Sequence, residues 1–364
     1  MLEVIGAAPG AHTDINWPGI WRQSREYQAV QDELRRLVAE SQSSTQNSKA
    51  THTEFAAPFS TQFWEVTKRA VQQYWRSPAY LYSKAFLSCG AVSYHPSTLY
   101  DDKYSRRSPE PNVRGVHLPY CFQPQLVDQI LPIFVSQRTM YEARERPSKA
   151  YSWMAFLGAN FLIEALWNSL MGVFSFILWY YPIGLYRNAR HTNAVHSRGA
   201  TVFLFVWVFF LFSSSFAHLV IAGMDSHEVA GGLVGLMTIL MFSFCGVIAG
   251  PHALPRFWIF MYRVNPFTYF VEGFLGTALA DAPASCDDND YISMAGGFVA
   301  DPDAADSDLC EYCAISETNR FLKLVNINFD NRWRNFGIMW VFIIFNIFAA
   351  AGLYWLARVP KRVA

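Results

Sequence analysis

The stretch FGIMWVFIIFNIFAAAGLYWLA, residues 336–357, contains no Asp, Glu, Lys or Arg. About 20 apolar residues in a helix cover the roughly 30 Å hydrocarbon core of a bilayer, and a soluble helix keeps a polar face that this stretch lacks. Three more segments read the same way: 154–181, with a single acid at Glu164; 201–222, TVFLFVWVFFLFSSSFAHLVIA; and 229–249. Trp153, Trp179, Tyr180, Tyr181, Trp340, Tyr354 and Trp355 fall near the segment ends, as an interfacial aromatic belt requires. The expected fold class is an all-α polytopic membrane protein. Composition agrees. Charged residues are 16% of the 364, against about 25% in ordinary globular domains. They crowd into the first 150 residues and short loops. Lys plus Arg and Asp plus Glu balance at 29 each, so no basic excess points to nucleic acid. The N-terminus lacks a basic region followed by an apolar one, which argues against a signal peptide.

The segments before residue 154 are weaker. SREYQAVQDELRRLVAE, 24–40, has helical apolar spacing, and a polar linker follows at 41–53. In 58–78, Phe59, Phe63, Val66, Ala70, Val71, Tyr74 and Trp75 form a stripe that suits a helix lying in the headgroup plane. Residues 79–94 are apolar but short, and they contain Lys84. The next stretch, HPSTLYDDKYSRRSPEPNVRGVHLPYCFQPQ, is dense in charge and holds Pro96, Pro109, Pro111, Pro119 and Pro124. No bilayer-spanning helix is expected there. Residues 254–280 are apolar and aromatic but broken by Pro255 and Pro266, and Arg256, Arg263 and Glu272 count against a span.

Several residues stand out chemically. YEARERPSKAYSW, 141–153, packs Glu142, Arg144, Glu145, Arg146 and Lys149 directly before a span. Such charges pair at i, i+3 and i, i+4, so the cluster is either a solvated cap on the helix start or a set of specific contacts. Glu164 lies about ten residues into a span, where an acid is costly unless it is paired or faces a polar cavity. It therefore either hydrogen-bonds a neighbouring helix or relays motion. Phe205, Phe209, Met241, Phe242 and Phe244 are candidate cavity-wall residues, with plain packing as the alternative. Cys89, Cys121 and Cys245 are isolated, whereas Cys286, Cys310 and Cys313 share one acidic loop. CEYC is a C-x-x-C, but without a second pair or a nearby histidine no metal site is expected.

MLEVIGAAPGAHTDINWPGIW, FWEVTKRAVQQYWRSPAYLYSKAFL, FVSQRTMYEARERPSKAYSW, LWYYPIGLYRNA and MYRVNPFTYFVEGFLGTALADAP together resemble fungal pleiotropic drug resistance transporters. These are full-length ABC exporters of the G subfamily, built as two nucleotide-binding domains alternating with two membrane domains. The chain looks like their last quarter, except about residues 92–124. The resemblance implies an ABC-2 type transmembrane domain at 54–357, with 92–124 aberrant and 250–334 an external loop that includes re-entrant helices. It makes 1–53 the end of a nucleotide-binding domain plus linker, and 358–364 a cytoplasmic tail.

The break at 92–124 suggests a shifted reading frame or misread intron, with a divergent loop as the rival. No Gly-x-x-x-x-Gly-Lys-Ser/Thr loop occurs, so this chain alone should not hydrolyse ATP, and no cofactor is expected in it. ATP and magnesium would bind the nucleotide-binding domains. The implied function is ATP-driven efflux of apolar or amphipathic compounds, from a multi-pass protein of the plasma membrane. Its partners would be the bilayer, the nucleotide-binding domains and the first membrane domain. The rival is a non-transporting truncated fragment. An ion-coupled carrier or membrane enzyme would need more than Glu164 and His218. In the family's orientation 141–149 is cytoplasmic, and Tyr141, Glu142, Arg144, Glu145 and Arg146 would couple to the nucleotide-binding domain. The family carries four cysteines in the acidic loop. Here there are three, so Cys286 is expected to pair with Cys310 or Cys313, leaving one odd.

Overall fold

The computed structural model describes residues 16–44, 54–87, 109–190, 192–246, 250–251, 254–281, 291–295, 309–313 and 318–359. The chain divides into two units, Met1–Glu54 and Phe55–Ala364. In the first, Asn16 caps α1 (Trp17–Gln23) by accepting from the Gly19 amide at 3.0 Å. Ser24 turns the chain into α2 (Arg25–Ser44), its hydroxyl accepting from the Tyr27 amide. Exposed ion pairs Arg35–Asp32, Arg36–Glu33 and Arg36–Glu40 follow helical spacing. Each adds only about 0.2–0.5 kcal/mol.

The second unit holds α3 (Phe59–Trp75), α4 (Pro78–Ala85), α5 (Pro109–Met140), a π-helical turn (Tyr141–Glu145), α6 (Trp153–Ile183), α7 (Val195–Ala222) and α8 (His227–Ser243). After these come α9 (Ile259–Val264), α10 (Pro266–Leu279), strands β1 (Tyr291–Ala295) and β2 (Leu309–Cys313), α11 (Thr318–Leu324) and α12 (Arg332–Arg358). Among the described residues three helices are long and apolar enough to cross a bilayer: Trp153–Pro182, Val195–Ala222 and Phe329–Arg358. α7 is their centre, packed by α5, α6, α10 and α12 and buried almost throughout. α6 and α12 each leave one apolar side open, Leu162, Leu166, Leu170 and Phe174 on the former and Val341, Phe345 and Phe348 on the latter. Open apolar faces of this length suit lipid, which satisfies them without a polar rim.

α10 approaches α7 closely because Gly273 has no side chain. A Cβ there would lie 2.2 Å from the Phe205 ring. Phe205 and Phe209 pack against Phe270, with ring centroids 6.2 and 5.0 Å away, and both are fully buried. The structure therefore places these two in the packed interior and not on an open wall. Met241, Phe242 and Phe244 are half-buried, Phe242 against Phe267 and Phe244 stacked on Trp258.

Other expectations are corrected. The expected span at 229–249 is a helix of 17 residues, ending at Ser243. There Asn265 donates to the Met241 carbonyl at 2.6 Å, and the Thr268 hydroxyl, bonded to the Tyr262 carbonyl at 2.9 Å, lies 3.3 Å from that of Phe244. Asn265 thus satisfies a carbonyl that a longer helix would have paired internally. Asn265 also caps α10 through the Phe267 amide, and Pro266 sits in that helix's first turn, where a missing N–H is harmless. The proline-rich stretch is helical from Pro109 onward, although α5 is not among the three helices apolar enough to cross. Pro109 and Pro111 fall in its first turn, which tolerates them. α3 packs one face on the bundle. Gln62, Val66, Thr67, Ala70 and Tyr74 pack along α6, while Phe59, Trp64, Val71 and Trp75 stay exposed, so the expected stripe splits between two faces.

β1 and β2 pair antiparallel, with Tyr291 opposite Cys313 and Met294 opposite Cys310. Both cysteines of CEYC thus lie on β2, whereas Cys286 and Cys89 fall outside the described residues. Cys245 is buried, its thiol donating to the Phe242 carbonyl at 3.0 Å.

Candidate coupling site

Residues 141–151 form a turn that protrudes from neither α5 nor α6. The Arg146 amide reaches the Tyr141 carbonyl at 2.8 Å, an i, i+5 bond that makes the turn π-helical. Lys149, at φ +50°, then reverses the chain, and the Ala150 amide returns to the Glu145 carbonyl. Ser152 caps α6 through the Ala155 amide, and its own N–H is taken by Gln62 of α3. Tyr141 is buried, its ring stacked on Phe156 at 4.8 Å and 5°. Burial pushes its hydroxyl up to about 12.

The charged residues of the turn point to different neighbours. Glu145 is held by Arg69 of α3 in a two-pronged ion pair, and the Tyr151 hydroxyl donates to the same carboxylate. Arg69 also donates to the Tyr151 oxygen at 2.7 Å. Burial pushes the Glu145 carboxyl up, but Arg69 and Tyr151 outweigh it and leave it below the usual carboxylate range. Glu142 accepts from Tyr354 of α12 at 3.1 Å, with Arg358 at 3.8 Å. Arg146 donates to the Arg358 carbonyl at 2.6 Å. Arg144 is exposed. A cavity of about 260 Å³ lies behind the turn, between Val66, Arg69, Gln137, Glu145, Phe156 and Asn160.

One helical turn beyond Ala70 the same face of α3 reaches Glu164. This side chain, with Lys84 of α4, is fully buried, and the two ions sit 2.6 Å apart. Tyr74 and Tyr80 each donate to one carboxylate oxygen at 2.7 Å, and Lys84 also donates to the Tyr80 oxygen at 3.0 Å. An ion pair so enclosed persists only when further hydrogen bonds satisfy its remaining valences, and here two hydroxyls do so. Of the two readings for Glu164, the hydrogen bond to neighbouring helices is directly visible. Lys84, which counted against a span at 79–94, is the partner that makes Glu164 tolerable. Opposite charges in two apolar segments were the available signal for this pair. Nothing local marked Arg69, Tyr151, Tyr74 or Tyr80 as partners. Among the described residues no three His, Cys, Asp or Glu side chains are grouped to hold a metal.

Comparison with known proteins supplies the context. Residues 61–279, from α3 to the end of α10, match the family described as ABC-2 type transporter. The chain belongs to that family. As an ABC-2 type transporter domain with apolar helices of spanning length, it is a membrane protein. It is 48% identical over 382 residues to the ABC multidrug transporter F of Aspergillus fumigatus, covering 99% of this chain and 26% of that relative. The ABC multidrug transporter atrG of Aspergillus oryzae is likewise 48% identical, with the same coverage. The ABC-type transporter oblD of Cochliobolus heterostrophus is 46% identical, across 100% of this chain and 26% of its own length. The chain thus spans about a quarter of the length of the curated relatives it matches. In this ABC-2 type transporter domain the 141–151 turn and the Glu164 cluster both fall inside the matched residues.

Proposed function

We propose that this chain is the second membrane domain of an ATP-driven exporter of apolar and amphipathic compounds, and that residues 141–146 receive the motion of a nucleotide-binding domain. One observation carries the coupling role. Arg69 ties the turn to α3, and five residues further along that helix Tyr74 is bonded to Glu164 inside the apolar bundle. A displacement of the turn therefore has a route into the interior that starts at the half-exposed Arg69–Glu145 pair and ends at the enclosed Tyr74–Glu164 bond. ATP and magnesium belong to nucleotide-binding domains outside this sequence. The first membrane domain would supply the other wall of the transport path. The names of the relatives support export of multiple compounds. The plasma membrane is the location this function requires.

In the orientation that makes 141–149 cytoplasmic, Arg138, Arg358 and the turn share the inner boundary, as the positive-inside rule favours. α9 and α10 then lie toward the outer boundary as re-entrant elements, with α10 covered by α7 and α12 and α9 left largely uncovered. The test is Glu145→Ala with Arg146→Ala in an intact transporter carrying this domain. Efflux of a fluorescent amphipathic dye should fall while surface expression stays normal. Full efflux at equal expression refutes the coupling role. No efflux even from the unsubstituted protein favours the non-transporting fragment.

A further inference from the structure

A second set of contacts leaves the same turn in another direction, toward the short connection between α7 and α8. The last turn of α7 ends in carbonyls that have no intrahelical donor and carry the negative end of the helix dipole. One guanidinium contact falls on that turn, at Ile221, and three fall on the connection that follows it. Arg138 donates to the Ile221 carbonyl and to the Asp225 carbonyl, both at 2.9 Å. Arg358 donates to the Met224 carbonyl at 2.8 Å and to the Asp225 carboxylate. Arg358 also faces Glu142, and its own carbonyl accepts from Arg146. Arg138, Arg146 and Arg358 thus outnumber Glu142 and Asp225, and the surplus positive charge rests on backbone carbonyls at the ends of α7 and α12. Asp225 is 94% exposed, so its ion pair alone would fix little. Arg138 is buried to 2%, and its two backbone bonds hold the connection in place.

The connection is only residues 223–226, and Ser226 caps α8 through the Val229 amide. Whatever holds Asp225 therefore holds the first turn of α8. That helix carries Met241 and Phe242 at its far end, and it leaves Val229, Leu236 and Ile239 uncovered. We propose that Arg358 is a positioning residue joining the 141–146 turn to the start of α8, so that a displacement of the turn moves α8 as well as α3 and α6. Arg358 is the link because it hydrogen-bonds the connection and forms an ion pair with Glu142 at 3.8 Å, while Arg138 anchors the connection to the end of α5. This rests on the coupling role proposed above. Its test needs neither ATP nor transport, so it can fail while that role survives.

The test is hydrogen exchange of the full chain in lipid nanodiscs. Glu142 touches Tyr354 and Arg358 but no atom of the connection. Glu142→Gln should nevertheless speed exchange at 223–230 by about two- to fivefold, the scale of one partly exposed ion pair, with 60–74 unchanged. Arg358→Lys keeps the charge but loses the fork that reaches two partners. In that background Glu142→Gln should leave 223–230 unaffected. A local structural role for Arg358 predicts no such dependence. Unchanged exchange at 223–230 in the single Glu142→Gln variant overturns the proposal. So does faster exchange spread equally over 60–74 and α10, which would mean general loosening.

Discussion

Lys84→Met gives the sharpest test of how this bundle is held together. In the structure Lys84 and Glu164 are both fully buried and 2.6 Å apart. Removing the cation leaves an enclosed carboxylate with only the Tyr74 and Tyr80 hydroxyls. Breaking a buried pair from one side costs about 3–5 kcal/mol. Removing either hydroxyl alone, as Tyr74→Phe or Tyr80→Phe, deletes one interhelical hydrogen bond, which in a bilayer averages about 0.6 kcal/mol and reaches about 1.7. The order of damage should therefore be Lys84→Met well above either tyrosine variant. Lys84→Met combined with Glu164→Leu, Tyr74→Phe and Tyr80→Phe should be more stable than Lys84→Met alone, because it leaves neither an orphan charge nor a buried hydroxyl without its acceptor. The assay is SDS-induced equilibrium unfolding in mixed micelles, followed by tryptophan fluorescence and far-ultraviolet circular dichroism. If Lys84→Met is no more destabilising than Tyr74→Phe, the pair is not the enclosed ion pair described, and the reasoning fails.

Gly273→Ala should destabilise by about 1–3 kcal/mol through overpacking, since the new methyl would meet the buried Phe205 ring. Adding Phe205→Leu should return part of the loss in the same unfolding assay. Asn265→Ala removes the cap of α10 and the donor to the Met241 carbonyl, at about 0.5–2 kcal/mol. Exchange at 241–246 should rise, and unchanged exchange there refutes the part given to Asn265 at the end of α8. Glu145 has a lowered carboxyl pKa, so its contribution is fully present above the unfolded value of about 4.3 and disappears as pH falls through the folded value. The stability difference between the parent and Glu145→Gln should be constant from about pH 7 to 5 and shrink below about pH 4. A difference that grows on acidification contradicts the sign.

The sequence revealed what depends on long-range hydropathy and hid what depends on partners. Residues 154–181, 201–222 and 336–357 were legible because a bilayer demands length and apolarity whatever surrounds the helix. The end of α8 was not, because Asn265, whose side chain satisfies a carbonyl of its last turn, is two dozen residues away. Helix formation from Pro109 was hidden for a different reason: Pro109 and Pro111 lie in the first turn, where proline is tolerated, but Pro119 and Pro124 lie inside α5, where the sequence alone argues for a break. The 141–146 turn was visible as a charge cluster, yet its meaning lay with Arg69 and Arg358, one far upstream and one near the end of the chain. Phe205 and Phe209 looked like wall residues because a phenylalanine stripe reads alike against lipid, ligand or another helix, and only Gly273 decided which.

The Lys84–Glu164 pair also bears on biogenesis. Each ion placed alone in a membrane helix costs about 2.5–3.5 kcal/mol on insertion scales. Residue 84 is synthesised long before residue 164, so when α4 leaves the ribosome its neutralising partner does not yet exist. The hypothesis that follows is that α4 waits at the interface and settles only after α6 has been delivered, which makes assembly of this end of the bundle post-insertional and ordered. With Lys84 kept and Leu81→Cys as the reporter on α4, nascent chains arrested before residue 150 should leave that cysteine open to a water-soluble thiol reagent, and chains arrested after residue 200 should protect it. Equal protection at both lengths would show that α4 is settled without its partner.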